Sequence, residues 1–284
     1  MTSISALLAA GRTRSLEFFP PKSSEGEAHF RTALDDLVAL GPSFASVTYG
    51  ALGTTRERTR DIVVSMNADH DFPTMAHLAC VGHTRGEIAD LLDQYAAGGV
   101  RNILALGGDP PEHDTAEGDF RHALELVETV RAHPAGFCIG VAAHPEMHPR
   151  SADRAEDRRH LAAKLMAADF AITQFFFRAE DYERMVDELA ALGVDRPVVP
   201  GVMPFTSVAG LRRMAAMNRT TIPNDLDAAL DRVDGDADAV RELGIEVATE
   251  LCQRLERAGA PGVHIYTLNR AASAQRVLDE LTVG

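Results

Sequence analysis

The chain has 284 residues, 45% hydrophobic and 25% charged, with a formal net charge of −14. That size is close to the roughly 250 residues of a closed α/β barrel. The acidity argues against nucleic acid and anionic membranes as partners, because no basic stripe is present to release counterions. No run of about 18 apolar residues is available to span a bilayer. The first element is a short apolar patch, Ile4 to Ala10, read as an N-terminal helix and not as a signal peptide. Short β-branched or aromatic runs then alternate with longer amphipathic stretches. The expected strands are Arg14–Phe19, Phe44–Tyr49, Thr74–Cys80, Asn102–Leu106, Cys138–Ala142, Ala171–Phe177, Val198–Met203 and Val263–Leu268. Helices are expected between them over Glu25–Leu40, Thr55–Asn67, Thr84–Ala97, Asp119–Arg131, Arg154–Ala167, Asp181–Leu192 and Ser207–Met217. Two more, Asp236–Ala258 and Arg270–Leu281, flank the last strand. The shape of Thr221 to Gly235 is left open. Eight strands alternating with helices predict a parallel sheet covered by helices, closed as a single-domain (β/α)8 TIM barrel.

Three cysteines, Cys80, Cys138 and Cys252, lie far apart without C-x-x-C spacing. This argues against zinc, iron–sulfur clusters and a disulfide framework, and it points to a reducing cytoplasm. The 28 basic residues include only two lysines, Lys22 and Lys164. Neither is placed at a strand end as a Schiff-base lysine requires. There is no G-x-G-x-x-G and no Walker sequence, so a Rossmann site is not expected.

In such barrels the active site forms at the C-terminal strand ends, and polar residues collect there. Glu17 lies between Leu16 and Phe18-Phe19. A carboxyl in that setting is desolvated, which disfavours its charged form and suits a general acid at neutral pH. The alternative is a structural Glu paired with an Arg inside the barrel. Asp109, in Gly107-Gly108-Asp109-Pro110-Pro111, reads equally as a site residue or as turn chemistry. Gln174, on a central strand, needs a hydrogen-bond partner from a ligand or a neighbouring strand. His144-x-x-x-His148 has a metal-like spacing, but Pro145 and Pro149 prevent the helix that would align the two imidazoles, so no metal is expected. Phe175-Phe176-Phe177 is read as core and shell on alternate faces.

The ordered set of strings resembles the methylenetetrahydrofolate reductase family: Leu16-Glu17-Phe18-Phe19-Pro20-Pro21-Lys22, Ser46-Val47-Thr48-Tyr49-Gly50, His77-Leu78-Ala79-Cys80, Leu106-Gly107-Gly108-Asp109, Ala142-Ala143-His144-Pro145-Glu146-Met147-His148-Pro149, Ile172-Thr173-Gln174-Phe175-Phe176-Phe177 and Tyr266-Thr267-Leu268-Asn269-Arg270. The chain ends at the barrel, as the bacterial form of that family does. The resemblance implies reduction of 5,10-methylenetetrahydrofolate to the 5-methyl form, with NADH or NADPH as electron source and methionine synthesis as the destination. It implies Glu17 as general acid, and Asp109, Gln174 and Arg270 as substrate-binding residues. It also implies Thr48, His77, His148, Asp157, Lys164 and Gln174 as cofactor-binding residues.

Several family positions differ here. Flavin-binding members carry Arg where this chain has Gly107, Tyr at His144, Asn at His160 and Arg at Ala163. A nucleotide-contacting Gln is common where Gly210 stands. Each lost charge-assisted phosphate contact costs about 1.5–3 kcal/mol, unless Arg158 or Arg159 substitutes. FAD is therefore expected to be absent or weakly bound, with hydride passing directly from the nicotinamide to the folate. The alternatives are an FAD-dependent ping-pong reaction and a non-redox pterin- or folate-binding barrel. The oligomeric state is left open.

Overall fold

A computed structural model describes residues 2–21, 23–49, 53–108 and 118–281. The parallel strands are β1 (Thr13–Phe18), β2 (Phe44–Val47), β3 (Thr74–Ala79), β4 (Asn102–Leu106), β5 (Cys138–Ala143), β6 (Phe170–Thr173), β7 (Val198–Val199), β8 (Gly201–Val202) and β9 (Gly262–Tyr266). The sheet order is β7-β6-β5-β4-β3-β2-β1-β9-β8. Because β8 resumes one residue after β7, the two edges of the sheet meet in one stretch of chain and the barrel closes. The single seventh strand expected over Val198–Met203 is thus split at Pro200, which has no N–H to give the ladder. Its carbonyl still accepts from His264 N at 2.9 Å. Gly201 N donates to Thr173 Oγ1 at 2.9 Å.

Strand parity separates two cores. Leu16, Phe18, Ala45, Val47, Ala76 and Leu78 point outward and pack under the helices. Phe44, Met75, Leu104, Cys138, Phe170, Ile172 and Val199 point inward. The N-terminal end of that interior is plugged by α1 (Ile4–Ala10), whose Ile4 and Leu8 join the inner cluster. Ser3 caps α1 by accepting from Ala6 N, and Ile4 N donates to Asn102 Oδ1 at 2.9 Å.

The outer helices are α2 (Ser24–Val38), α3 (Gly53–Asp69), α4 (Arg85–Ala97), α5 (Ala123–Ala132), α6 (Arg154–Ala167), α7 (Ala179–Ala191), α8 (Val208–Asn218), α9 (Asn224–Val233), α10 (Ala237–Arg257) and α11 (Ala271–Glu280). The segment left open over 221–235 contains α9, which buries Leu226 and Leu230. The sixth strand stops at Thr173, short of the expected Phe177. Phe176 enters the main core and Phe175 a satellite core with Met203 and Phe205, so the two rings do face different ways. No helix among the described residues is long and apolar enough to cross a membrane.

Candidate active site

The inward layer above Phe44 and Met75 is polar on one side of the barrel. Glu17 on β1 registers with Ser46 on β2 and Tyr266 on β9. All three belong to the inward set, and His77 on β3 joins them. Glu17 is 5% exposed. Its Oε2 lies 3.4 Å from His77 Nε2 and 3.4 Å from His264 Nε2. The residue beside this carboxyl is therefore not an arginine, and the structural alternative of an Arg–Glu pair does not apply among the described residues.

His264 is fully buried and stacks on Phe44 at 6.0 Å. Its Nδ1 is 2.8 Å from Ser15 Oγ, and its Nε2 is 3.3 Å from Ser46 Oγ. His77 is buried too, and its Nε2 has no hydrogen-bond partner. Burial lowers the His77 pKa to about 4, with Glu17 opposing and His264 assisting, so its imidazole is neutral at pH 7.

The backbone of Glu17 is fixed as firmly as its side chain. Thr267 Oγ1 donates to the Glu17 carbonyl at 2.6 Å. Asn269 clasps Phe19 from both sides, accepting from its N–H at 3.0 Å and donating to its carbonyl at 2.8 Å. Leu268 and Asn269 hold φ of 50° and 55° to make this clasp, a left-handed pair of non-glycine residues of the kind that collects at functional sites. Tyr266 crosses the interior to donate to the Thr173 carbonyl at 2.7 Å. Only glycine fits beneath it: a Cβ on Gly201 would stand 2.5 Å from the Tyr266 ring. Burial, then the nearby Glu17, pushes the Tyr266 phenol well above its ordinary value.

The other expected residues form an outer tier. Thr48 continues the β2 ladder, its N–H donating to the Phe18 carbonyl at 2.9 Å. Gln174 lies just past the end of β6, with its N–H on the Ala143 carbonyl and its own Oε1 accepting from Phe175 N at 3.0 Å. Arg270 is exposed and precedes α11. Asp109 lies outside the described residues. His144 and His148 meet edge to face at 4.6 Å. No group of three metal-ligating side chains occurs among the described residues.

Asp157 and Lys164 on α6 are committed to the protein. Asp157 Oδ1 accepts from His148 N at 3.1 Å and from Ser151 Oγ at 2.9 Å. Lys164 Nζ donates to the Ala142 carbonyl at 2.9 Å, and burial lowers its pKa to about 8.

Arg158 is equally committed. Its Nε bonds Glu188, Nη1 bonds Asp157 and the His144 carbonyl, and Nη2 bonds the Pro145 and Glu146 carbonyls. A guanidinium has five donors, so Arg158 has none left for a phosphate. Arg159, His160 and Ala163 are exposed on the same helix. Arg158 therefore cannot supply the phosphate contacts of the lost arginines.

His264 and Ser15 did not stand out in the sequence. His264 sits between Val263 and Ile265 and reads as strand. Its signal was parity: on β9 it faces inward with Tyr266.

The family model for methylenetetrahydrofolate reductase matches residues 4–282. A relative from Zea mays, methylenetetrahydrofolate reductase (NADH) 1, is 36% identical over 287 residues, covering 95% of this chain and 48% of its own length. The 5,10-methylenetetrahydrofolate reductase of Pectobacterium carotovorum is 35% identical over 270 residues, covering 95% of this chain and 90% of its own. The chain thus spans about half the length of the plant relative and most of the bacterial one. A Clostridium thermocellum protein, described as binding two copies of 5-methyl-5,6,7,8-tetrahydrofolic acid, shares the fold with TM-score 0.65 at 14% identity over 96% of each chain. With a family match that runs almost end to end, the chain belongs to the methylenetetrahydrofolate reductase family.

Proposed function

We propose that this protein reduces 5,10-methylenetetrahydrofolate to 5-methyltetrahydrofolate with NADH or NADPH, and that hydride passes directly from the nicotinamide to the folate. The observation that carries the reading is Glu17: a buried carboxyl at a barrel strand end, with one oxygen between two imidazoles. Glu17 gives its proton to a folate ring nitrogen, and the carbon–nitrogen bond there breaks to open the imidazolidine to an iminium cation. The hydride then adds to the methylene carbon, leaving the oxidised nicotinamide and a methyl group. Asp109, Gln174 and Arg270 hold the folate. Thr48, His77, His148, Asp157, Lys164 and Gln174 form the cofactor side.

Direct transfer is supported by the chemistry of α6. Of the two candidate substitutes, Arg158 has every donor in use and Arg159 is exposed on the outer face of α6, and Gly107, His160 and Ala163 supply no phosphate-gripping guanidinium. The FAD-dependent version keeps some support from His77, His148, Asp157 and Lys164, which match the family.

The experiment is NADH oxidation dependent on methylenetetrahydrofolate, with both substrates varied. Intersecting initial-rate lines are expected, since direct transfer needs a ternary complex. Parallel lines, or stoichiometric flavin absorbance in the purified protein, overturn direct transfer. Absence of folate-dependent oxidation overturns the reductase reading and favours a binding role. Glu17→Gln is expected to lower kcat by about 10²–10⁴-fold with the fold intact; retained turnover overturns the acid role.

A further inference from the structure

Gly107 follows β4 at the barrel mouth, and a side chain from another loop lies within van der Waals reach of it. A Cβ on Gly107 would stand 3.5 Å from Arg150 Nη2. Arg150 lies between β5 and α6 and reaches back over the strand ends. Its Nη2 donates to the Gly108 carbonyl at 3.4 Å, and among the described residues the guanidinium makes no ion pair. Neighbouring arginines differ: Arg154 is paired with Glu188 and bonded to the Glu146 carbonyl, and Arg158 is saturated.

The loop that carries Arg150 is pinned in place. Arg219 Nη1 donates to the Pro149 carbonyl at 2.7 Å, and Thr221 Oγ1 donates to Glu146 at 2.6 Å. Arg150 N donates to His148 Nδ1 at 3.1 Å. Several cationic side chains face His144 at this corner. His144 there has its pKa lowered to about 3, chiefly by burial, with His148, Lys164, Arg158 and Arg150 all acting in the same direction.

A fork of free N–H donors on a pre-ordered loop suits the oxygens of a phosphate. A ligand can approach closely, because Gly107 has no side chain to stand in the way. In sheet order β4 is three strands from β1, about 14 Å of sheet at ~4.8 Å per strand. That separation from Glu17 is within the reach of a dinucleotide whose nicotinamide lies beside the folate.

We propose that Arg150 binds the diphosphate of the nicotinamide dinucleotide, taking through space the place that a side chain at position 107 would hold. The proposal rests on the direct-transfer reading above.

ADP-ribose, which has the diphosphate but no nicotinamide, is the probe. Binding is measured by calorimetry on wild type, Arg150→Gln and Arg150→Lys, with the thermal midpoint confirming that each is folded. Arg150→Gln is expected to weaken ADP-ribose and raise the KM for NADH about tenfold or more, with the KM for methylenetetrahydrofolate within about twofold. Arg150→Lys is expected to fall between, since a lysine keeps the charge without the fork. Unchanged ADP-ribose affinity in Arg150→Gln overturns the proposal, as does an equal loss for folate. Loss of FAD binding with ADP-ribose binding unaltered overturns it as well. Because ADP-ribose binding needs no turnover, failure of the reductase reading shows separately, as absent folate-dependent NADH oxidation by wild type.

Discussion

Glu17 Oε2 stands between two imidazoles of unlike setting. His264 has partners on both ring nitrogens, Ser15 on one side and Ser46 with Glu17 on the other. His77 has no hydrogen-bond partner at Nε2. The environment disfavours a charged His77, so the folded state binds fewer protons there than the unfolded chain between pH 6.5 and about 4. Stability from this group is present above pH 6.5 and is lost as the pH falls toward 4, on the order of a few kcal/mol in all. His144 adds a loss of the same sign that continues to about pH 3. Denaturant unfolding at pH 7, 5.5 and 4.5 is expected to show falling stability, with a shallower fall in His77→Gln; an identical pH slope in the variant contradicts this. His264 touches the Glu17 carboxyl at 3.4 Å, and a positioning role for it is testable. His264→Asn is expected to lower kcat about tenfold or more and to shift its pH profile, with smaller changes in KM; an unmoved profile leaves it a packing residue. Glu17 itself was legible because an acid inside an apolar strand is conspicuous. A histidine inside a strand is not, until register shows which face it occupies.

The β5–α6 unit shows what an element's own sequence leaves unsaid. The amphipathic pattern of Arg154–Ala167 predicts the helix to the residue, and Asp153 caps it by accepting from Glu156 N at 2.8 Å. Nothing in that pattern distinguishes Arg158 from Arg159. The first is buried and ties three loop carbonyls and two carboxylates; the second is exposed. Arg158→Ala strands a buried Asp157 and three carbonyls, so a loss of about 3–5 kcal/mol is expected in denaturant unfolding. Arg159→Ala is expected to be near neutral, within about 0.5 kcal/mol. Equal effects of the two would contradict the burial difference. The split of the seventh strand was half legible: Pro200 was visible, but only closure of the sheet shows that each half serves a different neighbour.

At the scale of the molecule, α1 closes the end of the barrel opposite the site. Ile4 and Leu8 pack against Phe44, Met75 and Leu104, beneath the layer that holds His264. Ile4→Ala is expected to cost about 2–5 kcal/mol, read as a lower thermal midpoint. Wild-type midpoint in the variant would mean that α1 is not part of the core. The sequence by itself determined the order of strands and helices, the barrel class, the polar strand ends and the family, because periodicity and short motifs are properties of neighbouring residues. Tertiary structure alone decided which imidazoles meet Glu17, since His264 is 247 residues away along the chain. It also decided which arginine is saturated and which has donors free beside Gly107. Those outcomes depend on strand register and on burial, and both are set only when the sheet closes.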